Sequence, residues 1–265
     1  MERIAIATHQ RDIAQHVAFA QDHHTGIEIQ IYGYDPNLLD GDWPGLVARH
    51  KSLLRNFAGE IALHGVFYDM NTASIDRQIV ALTRKRYLTN LHIASELGAR
   101  HVVFHANYLH VIRNPGFTED WTRRQVDFFG GLIETAQELD VVITLENMWE
   151  PRPDIIASVI EQVDSPHLAA CLDVGHAHLY SDPIPFTAWL ERLSGHLVHC
   201  HINNHRGLYD EHLPLNAEMG IVDYDTILPM LWQLPQPPLI CLEMDDLGYL
   251  ERSLGYMQQV RAATP

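Results

Sequence analysis

Eight short β-rich segments alternate with eight longer helical patterns along this chain of 265 residues. Strict alternation predicts a parallel sheet with helices outside, and eight repeats favour closure into a barrel. The expected fold is therefore α/β, a (β/α)₈ TIM barrel that forms a single domain over residues 1–265. The predicted strands are Ile4 to Thr8, Gly26 to Tyr32, Glu60 to Phe67, His101 to Ala106, Val141 to Asn147, Leu168 to Val174, Leu197 to Asn203 and Leu239 to Asp245.

The helical patterns lie near residues 11–23, 44–58, 74–97, 118–139, 153–163, 184–194, 223–233 and 247–261. The third is the clearest, because its apolar residues recur at spacings of three to four and Gly98 follows as a stop signal. Those apolar residues are Ile75, Ile79, Leu82, Leu91, Ala94 and Leu97. No Gly-x-Gly-x-x-Gly follows the first strand, so nothing in the sequence supports a dinucleotide-binding domain.

The net charge of −16 disfavours long nucleic acids and anionic membranes as partners, since both attract Lys/Arg-rich faces. No apolar run approaches the roughly 20 residues that span a bilayer, and residues 1–4 start no signal peptide. We therefore expect a cytoplasmic protein. Cys171, Cys200 and Cys241 lie inside predicted strands and are expected to be reduced core residues.

Metal-competent side chains cluster at or near the carboxyl ends of the predicted strands, where catalytic groups of such barrels gather. The stretch from His199 to His212 is the densest, and taken alone it is equally typical of a polar, His-rich surface loop. Five other strand ends carry similar residues, which favours a site. The full set is His64, His105, Glu146, Asp173, His176, His201, Asp210, His212 and Glu243.

The two glutamates carry the strongest signal within this set. A single His at a strand end is more often a hydrogen-bonded core residue than a ligand. By contrast, Glu146 and Glu243 each end an apolar strand, where an unpaired carboxylate costs several kcal/mol. Residues two apart share a strand face, so Cys171, His199 and Cys241 would lie one step deeper, below Asp173, His201 and Glu243. Cys200 would face the helices.

Several local motifs resemble the xylose-isomerase-like TIM barrels, a superfamily that includes the endonuclease IV type and the sugar isomerases and epimerases. The resemblance covers nearly the whole chain. It is carried by Leu145-Glu146-Asn147, by Cys171-Leu172-Asp173-Val174-Gly175-His176, by His201 with Asn203-Asn204, by Asp210-x-His212-Leu213-Pro214 and by Leu242-Glu243.

The endonuclease IV resemblance implies three metal ions. The first would be held by His64, His105 and Glu146, the second by Glu146, Asp173, His201 and Glu243, and the third by His176, Asp210 and His212. The isomerase resemblance implies one ion on the second set alone, with both glutamates placed to move protons. His and carboxylate ligands suit Zn²⁺ or Mn²⁺, with Fe²⁺, Co²⁺ or Mg²⁺ as alternatives.

The net charge of the metal-loaded site distinguishes the hydrolase from the isomerase. Three divalent ions would outweigh the four carboxylates of the set and leave a positive site that suits a phosphate ester, whereas one ion would leave a negative site that suits a neutral sugar. Because one ion cannot use nine ligands, the leading hypothesis is a metal-dependent hydrolase of a small phosphoester with a multinuclear centre. The alternatives are an aldose-ketose isomerase or epimerase, in which the catalytic residues Glu146 and Glu243 transfer protons, and a non-catalytic metal-binding barrel.

The substrate is expected to be a small molecule, and duplex nucleic acid is not expected because the chain is acidic. Candidate substrate contacts are Arg206, Tyr34, Tyr108 and Trp149. Aromatic residues in such loops also commonly pack against helices. The sequence leaves the oligomeric state open.

Overall fold

A computed structural model describes residues 3–264 and contains a closed barrel of eight parallel strands. Each strand pairs with the next in chain order, and β1 closes the ring by pairing with β8. The predicted (β/α)₈ fold is therefore confirmed; that residues 1–265 form a single domain stays a prediction. The strands are β1 (Ile4–Thr8), β2 (Gly26–Ile29), β3 (Ile61–His64), β4 (His101–His105), β5 (Val142–Glu146), β6 (Leu168–Asp173), β7 (Leu197–Ile202) and β8 (Leu239–Leu242).

Helices surround the barrel, and the described residues form twelve of them. They are α1 (Ala14–Asp22), α2 (Ile31–Tyr34), α3 (Pro36–Leu39), α4 (Trp43–Leu53), α5 (Arg77–Leu97), α6 (Phe117–Gly130), α7 (Ile133–Glu138), α8 (Asp154–Val163), α9 (Val174–Tyr180), α10 (Phe186–Leu193), α11 (Tyr224–Trp232) and α12 (Leu247–Ala263).

Two helical predictions need correction. The pattern near residues 118–139 is two helices, because the chain breaks at Gly130 and Gly131, residues that lower helix stability. The third pattern begins at Arg77, so Ile75 precedes α5 and is 83% exposed. The second half of α5 is buried as expected, and Gly98 ends it in the left-handed conformation at φ 74°.

Strands β2 to β8 end earlier than predicted, whereas β1 keeps its predicted bounds, and this places the candidate ligands at the mouth of the barrel. His64, His105, Glu146 and Asp173 are the last residues of β3 to β6, and Glu243 directly follows β8. Side chains at these positions lie where the loops begin, at the end of the barrel where active sites form.

The barrel interior below the mouth is lined by small residues. Ala5, Ala7, Ala62 and Cys241 are buried together there with Leu239, whereas Cys200 packs with the outer core under the helices, as predicted. All three cysteines are free and buried. Within residues 3–264, no helix is both long and apolar enough to cross a bilayer.

Candidate metal centre

Four side chains from four strands meet at the mouth. One donor atom from each of Glu146, Asp173, His201 and Glu243 can be chosen so that all four lie within 4.8 Å of one another. His201 is central, because its Nδ1 lies 3.0 Å from Oε1 of Glu146 and 3.5 Å from Oε2 of Glu243. All four residues are buried. The arrangement therefore brings together four of the strand ends that the sequence singled out.

Three carboxylate oxygens in this group have no hydrogen-bond partner among the described residues: Oε2 of Glu146, Oδ2 of Asp173 and Oε2 of Glu243. Leaving buried carboxylate oxygens without a hydrogen bond is costly, and ion pairs or metal binding are the usual solutions. Two or three carboxylates with one imidazole form a donor set that suits a divalent metal ion. These residues therefore fit the metal that the sequence predicts.

A second group shares Glu146. The Nε2 atoms of His64 and His105 each lie 3.3 Å from Oε2 of Glu146, and their rings meet edge to face. Glu146 thus presents Oε1 to His201 and Oε2 to the two other imidazoles. A carboxylate in this position can hold one ion or bridge two.

The third predicted group lies at the rim. Oδ2 of Asp210 is 2.7 Å from Nε2 of His212 and 3.2 Å from Nε2 of His176. The backbone N–H of His176 donates to Oδ1 of Asp173, the residue that caps α9. This cap connects the rim group to the four-residue group.

Burial and neighbouring charge set the protonation of the carboxylates. Burial alone would raise the pKa of Glu146, but the imidazoles of His201 and His105 hold it well below its ordinary value. Burial, opposed by His176 and reinforced by Glu243, raises the pKa of Asp173 well above its ordinary value. The site therefore holds protons that a metal ion would have to displace.

The pKa values of the imidazoles are shifted in both directions. Burial would lower the pKa of His201, but the surrounding carboxylates, among them Glu243 and Glu28, raise it well above its ordinary value. Burial also works against the protonated form of His212, yet Glu243 and Asp210 raise its pKa to about 9. At His105 burial prevails and the pKa is lowered.

A cavity of about 380 Å³ opens above these groups. Two of the four predicted substrate contacts, Tyr34 and Trp149, line it. The full lining is Gln30, Tyr34, His64, Phe67, Tyr68, Asp69, His105, Asn107, Met148, Trp149, His176, Asp210, His212 and Glu243.

The other two predicted substrate contacts lie elsewhere. Tyr108 is buried, its hydroxyl lies 2.8 Å from Oγ1 of Thr118, and its ring packs edge to face on Trp121. Arg206 is paired with Glu211 through its guanidinium and is not part of the cavity lining. Local pairing therefore draws both side chains away from the cavity.

Sequence analysis missed two residues of β2 and its following turn. Glu28 is fully buried, and its Oε2 lies 3.0 Å from Nε2 of His201. Gln30 donates from Nε2 to Glu28 and to Glu243. Their signal was present, since two polar residues alternate with isoleucines in a buried strand, but no motif drew attention to them.

These features define a parallel α/β barrel whose strand ends carry a buried cluster of imidazoles and carboxylates under a small cavity. Residues 17–261 match the model of the family described as xylose isomerase-like TIM barrel. The chain belongs to that family, which confirms the resemblance found in the sequence.

Relatives were found by sequence and by structure. The uncharacterized protein MJ1311 of Methanocaldococcus jannaschii is 25% identical over 194 residues, which span 71% of this chain and 65% of that relative. The TTHB071 protein of Thermus thermophilus, from a crystal soaked with ZnCl₂, is 27% identical with a TM-score of 0.80, over 99% of this chain and 98% of that one. A D-tagatose 3-epimerase-like protein is 20% identical with a TM-score of 0.83, over 98% and 97% of the two chains.

Proposed function

We propose that this protein is a divalent-metal-dependent isomerase or epimerase of a small, uncharged sugar. Glu146, Asp173, His201 and Glu243 would hold one ion, Mn²⁺ or Zn²⁺ being suited to this donor set. The proposal reverses the order of preference drawn from sequence, where a phosphoester hydrolase came first. The solved structures that share this fold include a D-tagatose 3-epimerase-like protein and an L-ribulose 3-epimerase, which agrees with a sugar as substrate.

The observation that carries the proposal is the chemistry of the cavity lining. Among the described residues that line it, none is Lys or Arg, and four are aromatic: Tyr34, Phe67, Tyr68 and Trp149. Phosphate groups in binding sites are usually met by Arg, Lys or helix N-termini. Aromatic faces beside carboxylates and amides are better matched to the apolar faces and hydroxyl edges of a sugar.

The two glutamates would move the proton. Both carboxylates have a lowered pKa, which leaves them ionised near neutral pH and able to accept a proton. One would remove the proton from the carbon beside the substrate carbonyl, while the electron pair of that C–H bond passes towards the carbonyl oxygen. In an isomerisation the glutamate that took the proton would return it to the neighbouring carbon. In an epimerisation the other glutamate would first take a proton from solvent water and then give it to the opposite face of the same carbon. When bound, a divalent cation would polarise the carbonyl as a Lewis acid.

Solvent isotope exchange tests this reaction directly. Wild-type protein loaded with Mn²⁺ would be incubated in D₂O with a panel of unphosphorylated ketoses and aldoses, and NMR would follow deuterium entering the substrate. We expect exchange at a carbon beside the carbonyl of at least one sugar. Glu146→Gln and Glu243→Gln should each slow exchange by roughly 10²- to 10⁴-fold, the usual contribution of a general base.

A phosphoester assay on the same preparation supplies the contrary result. Release of phosphate from p-nitrophenyl phosphate, with no deuterium entering any sugar, would overturn the isomerase proposal. The same sugars carrying a phosphate should react more slowly than the unphosphorylated ones, because the described cavity lining offers no cationic Lys or Arg to receive that group.

The hydrolase is retained as a second candidate because of one observation. Glu146 presents its two oxygens to different imidazole groups, with Oε1 3.0 Å from His201 and Oε2 3.3 Å from both His64 and His105. A bridging carboxylate of this kind suits two neighbouring ions, which activate water and hold the leaving oxygen in metal-dependent hydrolases.

A further inference from the structure

The carboxylate of Glu28 is buried at a position where an unpaired charge would be destabilising. Its partners in register on the two adjacent strands are Ala7 and Ala62, and its side chain is fully buried in the barrel. A buried carboxylate among small apolar residues costs several kcal/mol unless it is paired. Its polar contacts include two imidazoles and one amide, from His199, His201 and Gln30.

The contact with His201 decides which imidazole nitrogen keeps its proton when a cation binds. Oε2 of Glu28 lies 3.0 Å from Nε2 of His201, while Nδ1 of the same ring lies 3.0 Å from Glu146 on the other side. An ionised carboxylate only accepts hydrogen bonds, so Nε2 must carry a proton to pair with Glu28. Nδ1, which faces Glu146 and Glu243 at the mouth, is then the nitrogen whose proton a cation would replace.

Gln30 extends the same support to a second member of the group. Its Nε2 donates to Oε1 of Glu28 at 3.0 Å and to Oε1 of Glu243 at 2.9 Å. Oε2 of Glu243, which has no hydrogen-bond partner among the described residues, is the oxygen that lies near His201. Gln30 therefore fixes the orientation in which Glu243 turns its free oxygen to the centre.

We propose that Glu28 and Gln30 are positioning residues, which hold His201 with its proton on Nε2 and hold Glu243 with Oε2 facing the metal centre. The inference rests on the proposed function for its consequence, which is tighter metal binding. Carboxylates that accept a hydrogen bond from the distal nitrogen of a ligand His are a general device for raising metal affinity.

Glu28→Gln tests the inference, because it removes the charge at nearly constant volume. Glu60→Gln is the control, since Glu60 directly precedes β3 and pairs with Arg3 outside the site. Affinity for Co²⁺, measured by chelator competition, should fall roughly 10- to 100-fold in Glu28→Gln and stay unchanged in the control. Glu28→Asp, which retains an acceptor one methylene further away, should lie between, and it serves if Glu28→Gln does not fold.

A second measurement needs no metal. Proton NMR of metal-free wild type should show a downfield, slowly exchanging Nε2 proton from His201, which disappears in His201→Gln and shifts upfield in Glu28→Gln. Unchanged Co²⁺ affinity together with an unchanged Nε2 proton would overturn the inference. Wild-type protein that binds no Co²⁺ or Mn²⁺ would instead remove the proposed function, while the NMR result would still decide whether Glu28 holds that proton.

Discussion

The carboxylate of Glu150 accepts a hydrogen bond from the backbone N–H of Tyr108 at 2.7 Å. Its other oxygen accepts from the backbone N–H of Met148. Glu150 therefore ties the loop after β4 to the loop after β5, two loops that flank the cavity. Burial raises its pKa to about 7 despite these hydrogen bonds.

This pKa predicts a pH dependence of stability. Because the folded-state pKa lies above the unfolded value near 4.5, Glu150 contributes fully below about pH 4.5 and loses its contribution as pH rises through about 7. As pH rises from about 4.5 to about 7, the free energy of unfolding should fall in both proteins. In Glu150→Gln this fall should be smaller than in wild type by up to about 3 kcal/mol. Urea denaturation at pH 5 and pH 8 measures the difference. Parallel stability curves for the two proteins would contradict the assignment.

Metal affinity should rise with pH between about 6 and 8. His201 and Asp173 have raised pKa values, so their protons persist near neutrality and must leave before their donor atoms bind an ion. Apparent affinity should change about tenfold per pH unit for each proton displaced, and activity should fall as lower pH releases the metal. Competition titrations at three pH values measure the affinity. Calorimetry in buffers of different ionisation enthalpy gives the number of protons released on binding. Affinity that does not vary with pH would exclude His201 as a ligand.

Metal stoichiometry separates the two candidate functions. In the isomerase, the pair Asp210 and His212 would serve the rim of the cavity, so Asp210→Ala combined with His212→Ala should leave the count at one ion per chain. In the multinuclear hydrolase the same double variant should lower a count of two or three by one. Elemental analysis of dialysed protein gives both counts, and His178→Ala, outside the cavity lining, is the control.

The sequence predicted which strand ends bring their side chains together, because period-two alternation and strand order together fix where each side chain emerges. It could not predict the residues that contact these side chains from deeper in the barrel. The role of Glu28 and Gln30 follows from their contacts with His201 and Glu243, which lie more than 170 residues later in the chain. Tyr108 was placed in the wrong environment because its partners, Thr118 and Trp121, come from a helix whose docking no local pattern reveals.

The aromatic wall of the cavity supplies the last prediction. Trp149 lines the cavity beside Met148 and the donor groups. If it stacks on a sugar, Trp149→Ala should raise KM by roughly tenfold, equivalent to about 1.4 kcal/mol. The value of kcat should fall much less, because Trp149 takes no part in the proton transfer. Trp149→Phe keeps an aromatic face and should recover most of the loss. Steady-state kinetics with the sugar found by isotope exchange measures both constants, and a fall in kcat at constant KM would show that Trp149 supports the glutamates rather than the substrate.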